Sequence, residues 1–286
     1  MRFHNATKRV FIRQSWLGDV VMCPERARLG ATMPNMRSGS DATIMGTAVH
    51  YAIERVLGDS SIERDAMTEI ALGKFADLQA TESWKVTNIN PDKYGTYIES
   101  MCTSWHNEIA PTVEFGGQVE YKFAYPLGIE VNGWSVWCEG TMDYVDPNGV
   151  VYDWKTASRA YNAREKQATA IQPTVYAGAV VSAGWTDFPV DFRYGVMVRN
   201  EKPKSQIVYV MRTEAHMRWL RHTVRPLIQM ALTIGEDNNW MMNDTGHLCN
   251  ERWCSYWSVC KGAFVSDPDM QVPDAPVTVT IDSGSD

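Results

Sequence analysis

Glu139–Thr156 reads EGTMDYVDPNGVVYDWKT, and the rest of the chain can be placed around it. Two runs rich in β-branched and aromatic residues, Trp134–Val145 and Val150–Thr156, flank Asp146-Pro147-Asn148-Gly149, which is a hairpin signature. Asp at i, Pro at i+1 and Gly at i+3 suit a type I turn closed by a left-handed glycine, a three-residue loop with a bulge. Such a loop sets Asp146 opposite Val150, and continued antiparallel pairing sets Asp143 opposite Asp153. Because strand side chains alternate, Asp143, Asp153 and Lys155 are expected on one face. A slip of one residue would separate them.

Facing carboxylates repel, and more so at a low-dielectric edge, unless a cation lies between them or one is protonated. An oxygen-seeking divalent ion, Mg²⁺ or Mn²⁺, resolves the conflict. Lys155 would then hold or deprotonate a water on that ion, or stabilise negative charge on a phosphate. An isolated Asp-x-Lys is more often a solvated ion pair on a sheet face, so the remaining sequence has to supply the context.

With 286 residues, 44% hydrophobic and 11% aromatic, the chain can bury a large core, in one domain or two. No apolar run reaches membrane-spanning length. The opening MRFHNATKRVFIRQ lacks the continuous apolar region and small-residue site of a secretory signal. A cytoplasmic location without a membrane partner is therefore expected, where the six cysteines serve as thiols or metal ligands rather than structural disulfides. The net charge of −7 argues at first against a nucleic-acid partner. Five of the acids, however, are the aspartates of 264–286, a stretch without Lys or Arg, so residues 1–263 stand at about −2. A nearly neutral body can carry a basic groove. The 264–286 stretch, rich in Pro, Asp, Ser and Thr, is expected to be a disordered acidic tail.

Periodicity predicts a helix over 13–29, with Ser15 as a candidate cap, and a second over about Thr43–Leu57. On the second, His50 lies one turn after Gly46, whose small size leaves room beside it for a ligand or metal. Two more helices, about Ile62–Ala80 and Lys93–Ile109, read as a helical insertion spanning about 58–115. Gln118–Tyr125 alternates as a strand. After the hairpin, a helix is expected over about Glu165–Ala183, projecting Gln172 and Tyr176 together over the hairpin's end, with Pro173 kinking it or marking a restart. Val190–Val198 and Gln206–Met211 read as strands. Glu214–Ile234 reads as a helix with Arg218, Arg221 and Arg225 on one stripe, either a phosphate contact or a solvated face.

The cysteines Cys249, Cys254 and Cys260 fall within HLCNERWCSYWSVCKG. Three thiolates leave a site one ligand short, and Cys23 or His247 can supply the fourth for a tetrahedral zinc or a four-iron, four-sulfur cluster. A cluster is preferred because the two closely spaced ligand pairs of zinc sites are missing. Cys102 and Cys138 read as buried. Trp253, Tyr256 and Trp257 either stack on unpaired bases or shield the cysteines and pack the core. The sequence has no phosphate loop, dinucleotide fingerprint, zincin or serine-hydrolase motif.

In chain order, Ser15-Trp16-Leu17 to Cys23-Pro24, Gly46–His50, Gly140–Asp143, Asp153-Trp154-Lys155, Gln172 to Tyr176 and the last three cysteines resemble the RecB-like branch of the PD-(D/E)XK nucleases. The similarity is to the iron–sulfur exonucleases with CRISPR-associated and phage-encoded members, over about Ser15–Cys260. The resemblance implies an α/β fold: a restriction-endonuclease-like core with a central mixed β-sheet flanked by helices, as one nuclease domain over 1–263. His50, Asp143 and Asp153 would be metal ligands, the Trp154 carbonyl would complete the shell, and Lys155 would serve the attacking water. Gln172 and Tyr176 would position the DNA strand. Cys23, Cys249, Cys254 and Cys260 would hold a 4Fe-4S cluster joining the N- and C-terminal segments. The implied activity is metal-dependent DNA exonuclease action on ends or single strands, with Mn²⁺ or Mg²⁺, in recombination, repair or DNA processing. A single-strand annealing or recombination protein would be a partner. The competing reading is a non-catalytic nucleic-acid-binding or assembly module with a structural zinc.

Overall fold

The computed structural model describes residues 1–37, 39–81, 84–87 and 89–266. The chain opens with β1 (Arg2–His4) and β2 (Arg9–Ile12), followed by α1 (Gln14–Met22), α2 (Pro24–Thr32), β3 (Gly39–Ser40) and α3 (Asp41–Gly58). Next come α4 (Arg64–Thr81), β4 (Trp84–Lys85) and α5 (Tyr94–Ser104), the last running into a π-helical turn, Trp105–Ile109. β5 (Gln118–Val131), β6 (Trp134–Val145) and β7 (Val151–Ala157) precede α6 (Ala163–Thr169) and α7 (Gln172–Ser182). β8 (Val190–Val198), β9 (Ser205–Arg212), α8 (Glu214–Ile234) and the short α9 (Lys261–Val265) complete the described chain. Phe264 and Val265 of the expected tail thus end a helix, and residues 267–286 lie outside the described residues.

The hairpin forms in the expected register. Asp146 N–H donates to the Val150 carbonyl at 3.0 Å and Gly149 N–H to the Asp146 carbonyl at 3.0 Å. Gly149 sits at φ 80°, a left-handed conformation that favours glycine. Tyr144 pairs with Tyr152 and Val145 with Val151. There the ladder stops, and β7 runs on in parallel with β8 from Val151↔Phe192 to Ala157↔Val198. Asp143 and Asp153 are the next pair in the register, so they stand where β6 and β7 part. On its other edge β6 pairs antiparallel with β5, and its first residues pair in parallel with β2. The mixed seven-stranded sheet has the order β1-β2-β6-β7-β8-β9, with β5 on β6.

Helices cover both faces. α1, α7 and α8 enclose one core with Met142, Phe192 and Val208. α3, α4 and α5 enclose the other with Tyr144, Tyr152 and Trp154. α4 and α5 thus pack with α3 over one face of the sheet.

Several expectations are corrected. The single helix over 13–29 is two, broken at Cys23, which is extended (φ −160°). Pro24 opens the second helix and disfavours helical backbone in the residue before it. Ser15 is no cap; the cap position is Arg13, which makes no side-chain capping bond. The helix over 165–183 is likewise two, with Pro173 in the first turn of α7, where its missing N–H costs no hydrogen bond. The Arg stripe of α8 is structural in part: Arg221 donates to the Leu127 carbonyl at 2.8 Å and Arg225 to that of Glu130 at 2.9 Å. No helix among the described residues is long and apolar enough to cross a membrane.

Candidate active site

α3 reaches the fork between β6 and β7 from one face of the sheet and α7 reaches it from the other. Ser40 caps α3 by accepting from Thr43 N–H, which fixes where the helix starts and thus where His50 points. Gly46 lies against β7: a Cβ there would stand 2.7 Å from Thr156 Oγ1, so the close approach requires glycine. His50 Nδ1 comes within 3.7 Å of Asp143 Oδ2. Burial first, and then the Lys155 charge, lower the His50 pKa to about 4, against the pull of Asp153 and a hydrogen bond to the Trp154 backbone. At neutral pH the ring is uncharged, so its contact with Asp143 is not an ion pair, and a neutral imidazole is the form that binds metals.

Asp143 Oδ2 accepts from Trp154 N–H at 2.7 Å, in the position where a ladder bond would otherwise continue. Burial raises its pKa to about 6, with Glu120 adding to the rise and Lys155 and the Trp154 N–H opposing it. Asp153 is sealed from solvent. Its Oδ1 accepts from Gln172 Nε2 at 2.7 Å. Its Oδ2 is buried without a well-oriented hydrogen bond, with the Lys155 ammonium against it as an ion pair. Burial raises the Asp153 pKa to about 6, Asp143 adds to this, and Lys155 opposes it. For Lys155 burial works against the charge, but Asp153 and Asp143 outweigh it and hold the pKa above the ordinary lysine value. The group is an ammonium throughout the neutral range.

Gln172 and Tyr176 do project together, one turn apart on α7. Tyr176 donates to the Thr141 carbonyl at 2.8 Å and lies 3.2 Å from Gln172 Nε2, and its ring is buried. The tyrosine therefore locks Gln172 onto Asp153. Two acids were not singled out in the sequence. Glu120, at a left-handed φ of 48°, falls with Asp143 between the pairs Val119↔Tyr144 and Tyr121↔Met142. Glu54 follows His50 by one helical turn and raises the pKa of Glu120, after burial. The i, i+4 spacing and the β5 register were the available signals.

The donor set suits a hard divalent ion: the sealed carboxylate of Asp153, the half-buried carboxylate of Asp143 and a neutral imidazole. Among the described residues no three His, Cys, Asp or Glu side chains close into a coordination shell. Here the Lys155 ammonium lies against the Asp153 oxygen.

The model of the PD-(D/E)XK nuclease superfamily matches residues 15–261. The chain belongs to that superfamily. PD-(D/E)XK nucleases use divalent metals such as Mg²⁺ or Mn²⁺. The nuclease shares its fold with the crystal structure of a Eubacterium rectale protein named "Putative exonuclease", at 13% identity and a TM-score of 0.53, over 87% of this chain and 92% of that one. A solved structure named SSO0001 is 15% identical over 88% of this chain and 86% of that one, with a TM-score of 0.38. No curated protein is significantly similar.

The nuclease gathers its cysteines in a second place. Cys23, Cys249, Cys254 and Cys260 line one cavity of about 190 Å³, together with His247 and Trp257. All four are free thiols, and among the described residues they line the cavity without closing into a metal-holding group. Cys102 and Cys138 are buried elsewhere, as expected. Around the cavity, α1 and α2 are tied to residues 236–243. Trp240 N–H donates to Glu25 Oε2 at 2.7 Å, Arg28 to the Glu236 carbonyl at 3.0 Å, and Asn243 Nδ2 to the Met22 carbonyl at 2.9 Å. Tyr256 is buried and accepts from Arg37, Trp257 lines the cavity, and Trp253 is exposed.

Proposed function

We propose that the chain is a metal-dependent deoxyribonuclease, an exonuclease acting on DNA ends or single strands in recombination, repair or DNA processing. The observation that carries this reading is the meeting of Asp143, Asp153 and Lys155 at the strand fork, with Asp153 sealed from solvent and the Lys155 ammonium against it. In it, Asp143, Asp153, His50 and the Trp154 carbonyl would hold the divalent ion. When bound, that ion supplies Lewis-acid polarisation of the phosphodiester and lowers the pKa of water. The chain's residues do the rest. Lys155 enters as an ammonium, so it orients the attacking water and offsets charge gathering on the phosphate rather than accepting a proton. Gln172, locked by Tyr176, fixes the rotamer of Asp153 and presents its remaining edge to the strand. Cys23, Cys249, Cys254 and Cys260 hold a 4Fe-4S cluster whose role is to join the two ends of the chain.

The test is digestion of 5′-labelled, 3′-labelled and circular DNA with Mn²⁺ by wild type and Lys155→Ala. Exonuclease action predicts shortening of linear DNA from one end, intact circles and an inert variant. Cleavage of circles would make the enzyme an endonuclease, and full activity in the variant would overturn the site assignment.

A further inference from the structure

Past Lys155, β7 continues to Ala157 and then enters the loop 158–162 before α6. Asp153, Lys155 and Ala157 alternate onto one face of the strand, so the loop begins about 6.6 Å beyond Lys155 on the catalytic face. There Ala157, Arg159, Tyr161, Asn162, Glu165 and Lys166 line a groove of about 550 Å³. Tyr161, which lines the groove, is on the loop that leaves β7 just beyond Lys155, and the charges of Lys155 and Asp153 bear on it.

This loop is held in place. Tyr161 N–H donates to Gln206 Oε1 at 2.8 Å while Gln206 Nε2 donates to the Tyr161 carbonyl at 3.1 Å, a two-point clamp onto β9. The Tyr161 ring packs edge-on against Tyr194 at 5.8 Å and carries the Lys166 ammonium 4.6 Å from its centroid. Lys166 is thus held by a cation–π contact rather than by a carboxylate. Arg159 is exposed, and neither cation enters the ion pairs formed among the described residues.

Charge is concentrated here against the balance of the molecule. The chain carries −7 overall, yet residues 155–166 hold four cations (Lys155, Arg159, Arg164, Lys166) and one acid, Glu165. The neighbouring end of β8, paired with β7 at Ala157↔Val198, leads into 199–204, with Arg199, Lys202 and Lys204 against Glu201. Glu201 is already paired with Lys93 at 3.1 Å. Cations left without acidic partners beside a phosphodiester-cleaving site attract the adjoining phosphates of the same strand.

We propose that Arg159 and Lys166 form the subsite for the backbone phosphate next to the one cleaved, with Tyr161 as the positioning residue that holds Lys166 there. The inference rests on the nuclease reading above and specifies which residues align the polynucleotide.

The test compares two substrates. Single-stranded DNA offers a neighbouring phosphate, whereas thymidine 5′-p-nitrophenyl phosphate offers the scissile diester alone. Arg159→Ala and Lys166→Ala are each expected to lower kcat/KM on DNA about 10-fold, mainly through KM, and to leave hydrolysis of the small diester unchanged. The slope of log affinity for single-stranded DNA against log salt, measured without divalent ions, is expected to fall by up to about 0.7 in each variant and by no more than that in the double variant, because the two cations share one phosphate. Tyr161→Phe, which keeps the ring beneath Lys166, is expected to behave as wild type, and Tyr161→Ala as Lys166→Ala. Equal losses on both substrates would show a structural role only, and unchanged DNA kinetics and salt slope would dismiss the subsite; either overturns the proposal. A wild type inert on both substrates would instead overturn the nuclease reading beneath it, and the subsite with it.

Discussion

Asp153 and Lys155 stand two residues apart on one strand, and burial penalises the charge of each. Their mutual attraction decides the outcome for Lys155, which keeps its proton, but not for the carboxylates, whose pKa values rise to about 6. Lys155→Ala should lower DNA cleavage at least about 100-fold, the scale for removing one oriented charge at a developing anion, which rates with Mn²⁺ will check. The raised pKa values also carry a stability cost. A carboxyl whose folded pKa of about 6 exceeds its ordinary value of 3.8 destabilises the fold where it is ionised, above about pH 6, and the penalty disappears as pH falls toward 4. Without divalent ions, Asp143→Asn should therefore raise the melting midpoint by about 2–6 °C at pH 8, with the gain gone near pH 4, while abolishing cleavage. His50 acts oppositely, its pKa lowered to about 4, so it costs stability as pH falls from 6.5; the difference between wild type and variant cancels it. Divalent-ion affinity, read by titration calorimetry, should weaken as pH drops through about 6, because ligation needs both carboxylates ionised.

The hairpin was legible because its turn chemistry is local: Asp146, Pro147 and Gly149 fix the register without help from the fold, and the register places Asp143 against Asp153. α3, β6, β8 and α8 were legible for the same reason, since periodicity and end signals agree. The N-terminal strands β1 and β2 were not, because their three and four residues are too short for alternation to show, and the β6 residues that β2 pairs with lie more than a hundred residues away. The breaks at Cys23 and before Gln172 depend on single prolines whose effect can be a kink, a stop or a start. Nor could any pattern show that the insertion covers a sheet face, or that α3 must approach β7 closely. That contact is testable. Gly46→Val should force α3 from Thr156 and carry His50 with it, costing about 1–3 kcal/mol of stability and weakening Mn²⁺ binding; denaturant melts and calorimetry will show both.

Across the whole molecule, the cysteine cavity and the catalytic fork are separate sites on one frame. If the four thiols hold a cluster that ties the chain's two ends together, Cys254→Ser should lose iron and sulfide and melt at lower temperature, while the catalytic carboxylates keep their metal affinity. Metal analysis and calorimetry distinguish this outcome from zinc without sulfide, which would mark a structural zinc site. The ties between α2 and the segment after α8 also set an order in time. Glu25 meets Trp240 across 215 residues, and at about 5–20 residues per second a ribosome needs on the order of 10–40 s to make the second partner after the first. During that interval Glu25 and Arg28 have no Trp240 or Glu236 to bind, and before it ends both α3 and the β6–β7 hairpin have been made. The fork between β6 and β7 is thus synthesised before the clasp that secures the first two helices, making that clasp a late step of biosynthesis.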